Sequence, residues 1–464
     1  MFFKSSITLQ IIMGMSLRVF LTAVLATLAN AIPTPLSRRS GPMLPSKDPF
    51  YAVPDNITRV EPGTILRRRK PLSPIAAFGI APLNLNASYQ LLYRTTDSFG
   101  NATATVLTVL IPHKADRSKL LSYQVAEDAA SIDCAPSYAL QLHSAAGPLL
   151  GTLLTQGELI LVEGALDEGW VVVIPDFQGP NAAFLANRRA GYAALDGIRA
   201  ALNSSPFTGI HGNSTIAMWG YSGGSLATNH AAELQSEYAP ELQIAGAAVG
   251  GTVPNITSAL ISINKGLFAG LIPTGILGLS AEYPDVAQLV QNHLKLEKSE
   301  AFLKAGTRCL LANAAAYLLK DIIDMFDDRD FMYQNKIVVQ VLNENALGKK
   351  IPKIPLYWYK SVFDQVSPIA DSDAVVKKYC DGGASVEYVR DIASEHGSYA
   401  VMGAPKALYW LKNIMKGGKP KSGCSRKTLL SSLLDIRTWG IAIKLGVNAL
   451  LNLFRKPVGP TVFG

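Results

Sequence analysis

From about Leu91 onward, short runs of β-branched and apolar residues alternate with longer stretches of helical spacing. This alternation predicts α/β units around a mostly parallel sheet, because each strand needs a helix to bring the chain back to the same edge. The predicted strands are residues 103–111, 120–125, 170–175, 214–219, 244–249, 355–359 and 385–390. Residues 188–203 have the spacing of a helix that leads into the fourth of them.

The strand pattern is interrupted between Gly251 and Ile351, where helical spacing takes over for about a hundred residues. Helices are predicted at residues 285–296 and 311–326. A helical excursion of this length between two strands of one sheet predicts an inserted cap. The apolar, glycine-punctuated residues 266–279 fit the wall of an apolar cavity or ordinary core packing equally well.

The two ends of the chain depart from this pattern. An apolar run at residues 19–28, followed by Ala29-Asn30-Ala31, predicts a cleaved signal peptide over residues 1–31, because the run is shorter than the roughly 20 residues of a spanning helix. The apolar C-terminal run is interrupted by charges, which favours an amphipathic helix or a flap over residues 426–464. Between these ends we predict an N-terminal extension at 32–90, an α/β core in two parts at 91–251 and 351–425, and the cap at 252–350.

Composition places the chain among globular proteins and limits its partners. Of its 464 residues, 48% are hydrophobic, which is enough to bury a large core, and the formal net charge is +8. The dense basic run at residues 67–70 has no interleaved aromatic residues, so it indicates a solvated basic surface and no nucleic-acid partner. A lipid interface, especially an anionic one, is a candidate partner, and the oligomeric state stays open.

Glycosylation and cysteine patterns indicate an exported protein. Six Asn-x-Ser/Thr triplets follow the predicted signal peptide, and they begin at Asn56, Asn86, Asn101, Asn203, Asn213 and Asn255. Because such triplets are glycan acceptors in secreted proteins, we expect an extracellular glycoprotein. The four cysteines form no CxxC pair, which favours two disulfides over a zinc site and leaves three pairings open; they are Cys134, Cys309, Cys380 and Cys424.

The strongest chemical signal is the pentapeptide Gly220-Tyr221-Ser222-Gly223-Gly224, which fits the G-x-S-x-G pattern. It follows the predicted strand at 214–219 and precedes helical spacing at 225–235. A serine on so sharp a strand-to-helix turn presents its hydroxyl at the carboxyl edge of the sheet. The context therefore predicts Ser222 as a nucleophile.

A serine hydroxyl needs a base within hydrogen-bond reach, and in hydrolases with this turn the base follows both the serine and an acid along the chain. Three of the six histidines precede Ser222, namely His113, His143 and His211. His230 lies eight residues further along the same predicted helix, roughly 12 Å along its axis, and His293 belongs to the predicted cap. His396, just after the last predicted strand, is therefore the predicted base.

The acid that orients the histidine should lie in the loop after the preceding strand, and Asp364 occupies that loop. Asp371 and Asp373 are nearby alternatives that are read more simply as helix-capping residues. The oxyanion of a tetrahedral intermediate needs N–H donors, and the backbone of Gly223 is the natural first donor. Asp128, in the loop after an early strand, is a candidate second donor, although an exposed acidic turn explains it equally well.

Several separate blocks in a fixed order carry a resemblance to a known family. The blocks are Ser122-Tyr123-Gln124-Val125-Ala126-Glu127-Asp128, Asp133-Cys134-Ala135-Pro136-Ser137-Tyr138, Tyr221-Ser222-Gly223-Gly224, Tyr238-Ala239-Pro240-Glu241-Leu242 and Gly250-Gly251-Thr252. On these blocks the chain, from about residue 93 to residue 424, resembles the fungal secretory lipase family.

The resemblance implies an α/β-hydrolase fold with an inserted helical cap over an acyl-binding tunnel. It also implies a catalytic triad of Ser222, Asp364 and His396, and an oxyanion hole formed by Asp128 and Gly223. The disulfides that it implies are Cys134–Cys309 and Cys380–Cys424. One position departs from the family pattern, since Ser367 stands where relatives have a valine before the proline, but the spacing from acid to proline is kept.

We therefore expect a secreted serine hydrolase that cleaves carboxylic esters, a triacylglycerol lipase or a carboxylesterase. It would act on an ester or lipid substrate through an acyl-enzyme on Ser222, with no metal and no organic cofactor. An esterase that deacetylates a fungal secondary metabolite, similar to the trichothecene C-3 esterase, is the main alternative. A serine peptidase and a non-catalytic binding protein on the same scaffold are more distant alternatives.

Overall fold

The computed structural model describes residues 41–77, 81–144, 153–452 and 455–460. The predicted signal peptide at residues 1–31 therefore lies outside the described residues. Short 3-10 helices occur at Pro45–Lys47, Pro49–Tyr51, Ile57–Arg59, Ile132–Cys134, Lys304–Thr307, Ile323–Met325, Ser432–Leu434 and Ile436–Thr438.

A mixed sheet runs through the centre of the described chain. Its strands are β1 (Ile65–Arg69), β4 (Ala87–Thr96), β5 (Ala102–Ile111), β6 (Asp116–Gln124), β7 (Trp170–Pro175), β8 (Thr215–Tyr221), β9 (Ile244–Gly250), β10 (Leu356–Ser361), β11 (Val386–Asp391) and β12 (Cys424–Leu429), while β2 (Ala76–Ala77) and β3 (Ala81–Pro82) pair separately. The spatial order is β1-β4-β5-β7-β6-β8-β9-β10-β11-β12. In this spatial order, neighbouring strands among β1, β4, β5 and β7 pair in antiparallel fashion. From β7 onward through β6 to β12, every neighbouring pair is parallel.

The central strands are buried on both faces, which explains why they are nearly continuous apolar runs in the sequence. Along β7, Val171 and Val173 join one hydrophobic core while Val172 and Ile174 join the other, as the two-residue period of a strand requires. The seven predicted strands all correspond to strands of this sheet. The sequence did not predict β1, β4 or β12 as strands.

Helices cover both faces of the sheet. They are α1 (Pro136–Ala139), α2 (Leu153–Gly157), α3 (Leu159–Leu166), α4 (Asn187–Asn203), α5 (Ser205–Thr208), α6 (Gly223–Tyr238), α7 (Ile256–Ile263), α8 (Leu271–Glu282), α9 (Pro284–His293), α10 (Leu296–Leu303), α11 (Leu310–Ala316), α12 (Phe331–Gln334), α13 (Lys336–Glu344), α14 (Ile369–Asp381), α15 (His396–Met402), α16 (Ala404–Met415) and α17 (Trp439–Asn452). Helices α4 and α6 contribute to the first core, and α3 and α16 contribute to the second.

Helices α7 to α13 lie between β9 and β10 along the chain, where the sequence predicts a cap. The predicted helix at 285–296 is two helices, because Leu294 has an extended backbone that separates α9 from α10. The prediction of one helix over 311–326 is wrong. Helix α11 ends at Ala316, and Leu319 has a φ of 60°, in the left-handed region that a right-handed helix cannot contain.

The predicted domain boundaries stay a prediction, but three strands of the sheet fall across or outside them, and β4 crosses the boundary at residues 90 and 91. β1 belongs to the predicted N-terminal extension, and β12 continues the sheet past residue 425 to Leu429. The amphipathic C-terminal helix corresponds to α17. Among the described residues, no helix is both long enough and apolar enough to span a bilayer.

Candidate active site

Ser222 lies at a sharp turn between the end of β8 and the start of α6. Its φ of 51° and ψ of −123° are rare for a residue with a side chain, and its N–H donates to the Gly250 carbonyl at 2.9 Å. Glycines make the turn feasible: a Cβ on Gly220 would collide with the Gly224 carbonyl, and a Cβ on Gly224 would collide with the Gln124 carbonyl. The strand-to-helix turn predicted from the sequence is therefore present.

A continuous hydrogen-bonded chain links Ser222, His396 and Asp364. Ser222 Oγ lies 2.8 Å from His396 Nε2, and His396 Nδ1 lies 2.7 Å from Asp364 Oδ2. The three side chains come from positions 174 and 32 residues apart along the chain. This arrangement fits a ring that carries its proton on Nδ1 and can accept the serine proton at Nε2.

The position of His396 is fixed by its own backbone as well as by its ring. Its N–H donates to the side-chain oxygen of Gln365 at 3.0 Å, and its carbonyl accepts from the Tyr221 hydroxyl at 2.6 Å. His396 is the first residue of α15, where Glu395 and Ser398 form a capping box. The imidazole is therefore held by β8, by the loop after β10 and by a capped helix start.

Asp364 is buried and accepts hydrogen bonds at both carboxylate oxygens. Oδ1 accepts the N–H groups of Val366 and Ser367, both at 2.9 Å, and Oδ2 accepts from His396 and from the ammonium of Lys360 at 2.8 Å. Burial alone would raise the pKa of Asp364, but the nearby His396 and Lys360 outweigh it and hold that pKa well below its usual range. Asp364 is therefore ionised over the working range of pH.

Asp128 and Gly223 both lie beside Ser222. The carboxyl of Asp128 lies so close to Gly223 that a Cβ there would collide with it. Asp128 has a φ of 45°, is buried, and has no described hydrogen-bond donor at Oδ1. Burial raises its pKa to about 7. The reading of Asp128 as an exposed acidic turn is therefore wrong.

Three more acids lie in or around the Asp128 loop, of which Glu127 and Asp176 are buried and Glu158 is partly exposed. Burial raises the pKa of Glu158 to about 8 and that of Asp176 to about 7, and it raises the pKa of Glu127 well above its usual range. Glu158 accepts from the Tyr123 hydroxyl and from the Ala126 N–H, at 2.8 and 2.9 Å. Within the described chain neither carboxylate oxygen of Glu127 has a hydrogen-bond donor.

An apolar cavity of about 610 Å³ opens beside Ser222. Apart from Asp128 and Ser222, its lining residues are apolar, and many come from α7 and α8. Five of them belong to the glycine-punctuated run of the sequence, which is therefore a cavity wall: Leu271, Ile272, Gly275, Ile276 and Leu279. A smaller apolar cavity of about 270 Å³ lies behind Ile276, Leu279, Met332 and Leu342, which line both cavities.

The other residues singled out from the sequence lie elsewhere. The Asp373 carboxylate accepts from Tyr388 and Arg426 on neighbouring strands, and Asp371 lies in the first turn of α14. His230 Nδ1 lies 2.9 Å from the Leu226 carbonyl within α6. The structure pairs Cys134 with Cys309 and Cys380 with Cys424. All six predicted glycosylation sites are exposed: Asn56, Asn86, Asn101, Asn203, Asn213 and Asn255.

Two site residues were missed from the sequence, Lys360 and Gln365. Gln365 directly follows the predicted acid, so its position in the loop could have suggested a supporting role. Lys360 offered a weaker signal, a single cation in the otherwise apolar strand pattern of Tyr357-Trp358-Tyr359. In the described chain no group of three His, Cys, Asp or Glu side chains is arranged to hold a metal ion.

Four features together define an α/β-hydrolase: a mostly parallel sheet with helices on both faces, a serine at a strand-to-helix turn, and a histidine and an acid after later strands. Solved structures agree with this class. The X-ray structure of Candida antarctica lipase A superimposes with a TM-score of 0.78 at 30% identity, over 91% of this chain and 99% of that one. The esterase LipA of Xanthomonas oryzae shares the fold, with a TM-score of 0.58 at 15% identity over 77% of this chain and 100% of its own.

Sequence comparison narrows the class to one family. The family model described as secretory lipase matches residues 143–423. Lipase A of Arthroderma benhamiae is 48% identical over 91% of this chain and 90% of its own length. Lipase 1 of Candida albicans is 37% identical over 88% of each chain. The chain belongs to the secretory lipase family and is an ester hydrolase.

Proposed function

We propose that this ester hydrolase cleaves its substrate with a triad of Ser222, His396 and Asp364, through an acyl-enzyme on Ser222. The observation that carries the proposal is the hydrogen-bonded chain from Ser222 Oγ through both ring nitrogens of His396 to Asp364, next to an apolar cavity. A nucleophile, a base and an orienting acid within hydrogen-bond distance are the parts that acyl transfer needs.

In the proposed reaction, Ser222 Oγ attacks the ester carbonyl carbon while its proton passes to His396 Nε2. The tetrahedral intermediate then collapses, and the leaving alcohol takes that proton, which leaves the acyl group on Ser222. Water attacks the acyl-enzyme with the same base, and the carboxylic acid is released. Asp364 keeps the ring oriented and stabilises the imidazolium in both steps.

The backbone N–H groups of Gly223 and Asp128 are proposed to stabilise the oxyanion. Gly223 begins α6, so its N–H is free of a helical partner and benefits from the positive end of the helix dipole. Asp128 is the candidate second donor because its side chain lies against Gly223 and its backbone has a φ of 45°, which is rare for a residue with a side chain. Such donors are typically worth about 10²–10³-fold in kcat.

The cavity favours an acyl chain over an acetyl group. Its lining is almost entirely apolar, so it gains free energy from burying a longer acyl chain and little from a two-carbon acyl group. We therefore place a triacylglycerol or other long-chain ester above the deacetylation of a secondary metabolite. The smaller cavity behind Met332 adds depth in the same direction.

An ester panel on the wild type and the Ser222→Ala variant tests this function. We expect kcat/KM to rise from acetyl to octanoyl esters and to fall to background in the variant. A fluorophosphonate should label the wild type and not Ser222→Ala. Activity on acetyl esters alone would support the deacetylase, cleavage of peptides would support a peptidase, and absence of labelling in folded wild type would support a binding protein.

We further propose that the segment from Leu430 to Val447 contacts a lipid interface. It carries exposed apolar side chains on consecutive turns, namely Leu430, Leu433, Leu434, Ile436, Trp439, Ile443 and Val447. The last three are four residues apart and so lie on one face of α17. The Ala393 N–H donates to the Leu430 carbonyl at 2.9 Å, which places this surface beside the loop that leads to His396.

The charge of this segment fits an anionic interface. The segment itself holds Arg437, Lys444 and the single acid Asp435, and the preceding strand β12 adds Arg426 and Lys427. Ester hydrolysis in an oil phase produces fatty acids, whose carboxylates give the interface a negative charge. Basic residues among exposed apolar side chains then add electrostatic attraction to apolar insertion.

Vesicle sedimentation with the Ser222→Ala protein tests this surface without turnover. We expect binding to phosphatidylcholine vesicles that contain oleic acid, weaker binding without it, and a marked loss in Leu434→Ser/Ile436→Ser. Leu296→Ser, at an exposed leucine of the cap, is the matched control. Equal binding by both variants, or a salt-independent dimer in place of vesicle binding, would contradict the proposal.

The family supports export, and we propose that the chain reaches the exterior through the signal peptide predicted at residues 1–31. The two disulfides and the six exposed glycosylation triplets are compatible with an oxidising secretory route. N-terminal sequencing of the secreted protein and a mass shift on glycosidase treatment would test both points.

A further inference from the structure

Lys360 is a fully buried lysine at the end of β10, next to the proposed triad. Its Nζ lies 2.8 Å from Asp364 Oδ2 and donates to the Thr252 carbonyl, also at 2.8 Å. The side chains of Lys360 and Asp364 are both 0% exposed. The lysine thus ties the acid to the loop after β9, which directly follows the strand next to the one that presents Ser222.

A second lysine four residues before an aspartate shows how unusual this burial is. Lys377 and Asp381 form an ion pair of 2.6 Å, but their side chains are 75% and 64% exposed. Water screens an exposed pair, so its contribution is small, whereas a buried pair cannot lose one partner without leaving an uncompensated charge. The buried pair therefore constrains the charge and the position of Asp364, and the exposed pair constrains little.

Lys360 and His396 share one oxygen of Asp364. His396 Nδ1 lies 2.7 Å from Oδ2 and Lys360 Nζ lies 2.8 Å from it, while backbone N–H groups occupy Oδ1. A positive charge at this oxygen competes with the protonated imidazole for the same carboxylate. Lys360 therefore orients the carboxylate and also weakens its hold on a protonated ring.

The other titratable groups around this pair are few among the described residues. Asp371 of α14 acts on Lys360, and Tyr221 of β8 donates to the backbone of His396. Glu395 precedes His396 but is exposed, so water screens its charge. Burial lowers the pKa of Lys360, and the negative charge of Asp364 opposes that shift. Among the described lysines and arginines, Lys360 is the one in contact with the acid of the proposed triad.

We propose that Lys360 is a positioning residue for the triad: its ammonium orients the Asp364 carboxylate and shares the oxygen Oδ2 with His396 Nδ1. This inference rests on the proposed function. Its consequence is that the enzyme stays active at lower pH than it would without the lysine. The acid limb of the pH profile reports protonation of the base in the free enzyme, so it measures this effect directly.

The test compares pH profiles of kcat/KM for the wild type, Lys360→Met, Lys360→Gln and Lys360→Arg. In the two neutral variants the protonated ring loses a repelling charge, so we expect the acid limb to move up by about one pH unit. We expect kcat at the optimum to fall on the order of tenfold, far less than the roughly 10⁴-fold cost of replacing the acid. KM should change less than about twofold, because Lys360 does not line the cavity.

Lys360→Arg keeps the charge and should keep the acid limb at its wild-type position even where kcat falls. Lys377→Met removes the exposed lysine that also lies four residues before an aspartate. It should leave both the acid limb of the pH profile and kcat unchanged. If Lys360→Met does not fold, the comparison of Gln with Arg carries the test. Active-site titration with a fluorophosphonate corrects each rate for the folded fraction.

An acid limb that does not move in the neutral variants would overturn the inference, as would an equal shift in Lys360→Arg or Lys377→Met. The proposed function fails in a different way, since wild type itself would then not react with the fluorophosphonate. A reactive wild type with an unmoved acid limb therefore rejects only the role of Lys360.

Discussion

Buried acids lie on both sides of Ser222, and they differ in what surrounds their charge. On the histidine side, Asp364 has a lysine and an imidazole within 2.8 Å, and its pKa is held low. On the other side, Asp128 and Glu158 have no described cation within ion-pair distance, and burial raises their pKa values to about 7 and about 8. Burial raises the pKa of an acid; the cations beside Asp364 reverse that shift, whereas no described cation reverses it for Asp128 or Glu158.

The difference matches what each side is proposed to do. Stabilising an imidazolium requires a fixed negative charge, which Asp364 supplies. Stabilising an oxyanion is easier when no negative charge lies close by, which Asp128 satisfies below about pH 7, where it is mostly protonated. Below that pH the site keeps a carboxylate and a carboxylic acid on the two sides of Ser222.

The largest effect should come from removing the charge on the histidine side. We expect Asp364→Asn to lower kcat by about 10⁴-fold, because the amide donates to Nδ1 and leaves the imidazole in the wrong tautomer. Steady-state kinetics with a soluble ester measures the loss. Asp373→Asn, which changes an acid of α14 that accepts from Tyr388, Arg390 and Arg426, should lose less than about twofold. A comparable loss in both variants would reject the assignment of Asp364.

The next effect concerns stability on the acid-rich side. Glu158 and Asp176 have folded-state pKa values raised from 4.5 and 3.8 to about 8 and about 7. At a pH above the pKa values of the unfolded chain, the unfolded chain has released these protons while the folded protein still holds them. The free energy of unfolding therefore falls as pH rises from about 4 to about 8. At about 1.4 kcal/mol for each pH unit between the unfolded-state and folded-state pKa, each group should contribute about 4 kcal/mol of this loss.

Denaturant unfolding at pH 5 and pH 8 measures this difference. Glu158→Gln should reduce the loss between the two pH values, whereas Glu237→Gln, at an exposed site, should not. A wild type that is equally stable at both pH values would mean that these acids are ionised, and the contrast between the two sides would disappear.

The smallest expected effect is on turnover at alkaline pH. Asp128 should lose its proton above about pH 7, and the resulting carboxylate next to Gly223 should repel the oxyanion. We expect wild-type kcat to fall by up to about tenfold between pH 7 and pH 9, and Asp128→Asn to remove most of that fall. A profile that stays the same in Asp128→Asn, as in the exposed control Asp116→Asn, would contradict this role.

The sequence predicted the parts of the site that follow from chain order. Ser222, Asp364 and His396 each come directly after a parallel strand, so their common edge of the sheet follows from topology. The role of Lys360 could not be predicted in this way, because Lys360 lies within β10 itself. It contacts Asp364 only because the chain turns between the two residues. The low and raised pKa values on the two sides also depend on tertiary burial, which no residue pattern records.

The missed strands have a similar explanation. β12 reads Cys-Ser-Arg-Lys-Thr-Leu and has one face covered only weakly, so it carries no hydrophobic alternation and exists as a strand through pairing with β11. The predicted helix over 311–326 failed for the opposite reason. Its apolar spacing is genuine, but Lys320 and the left-handed Leu319 turn the chain back toward Gly266.

The two outermost strands of the sheet, β1 and β12, expose basic side chains at Arg68, Arg426 and Lys427. An open strand edge can pair with the same edge of another molecule, and fibres grow from such pairing. Here two molecules that approach edge to edge would bring like charges together. The basic side chains on the two edge strands should therefore keep the protein from aggregating at high concentration. Replacing them with neutral residues should make the protein precipitate more readily without lowering its catalytic activity.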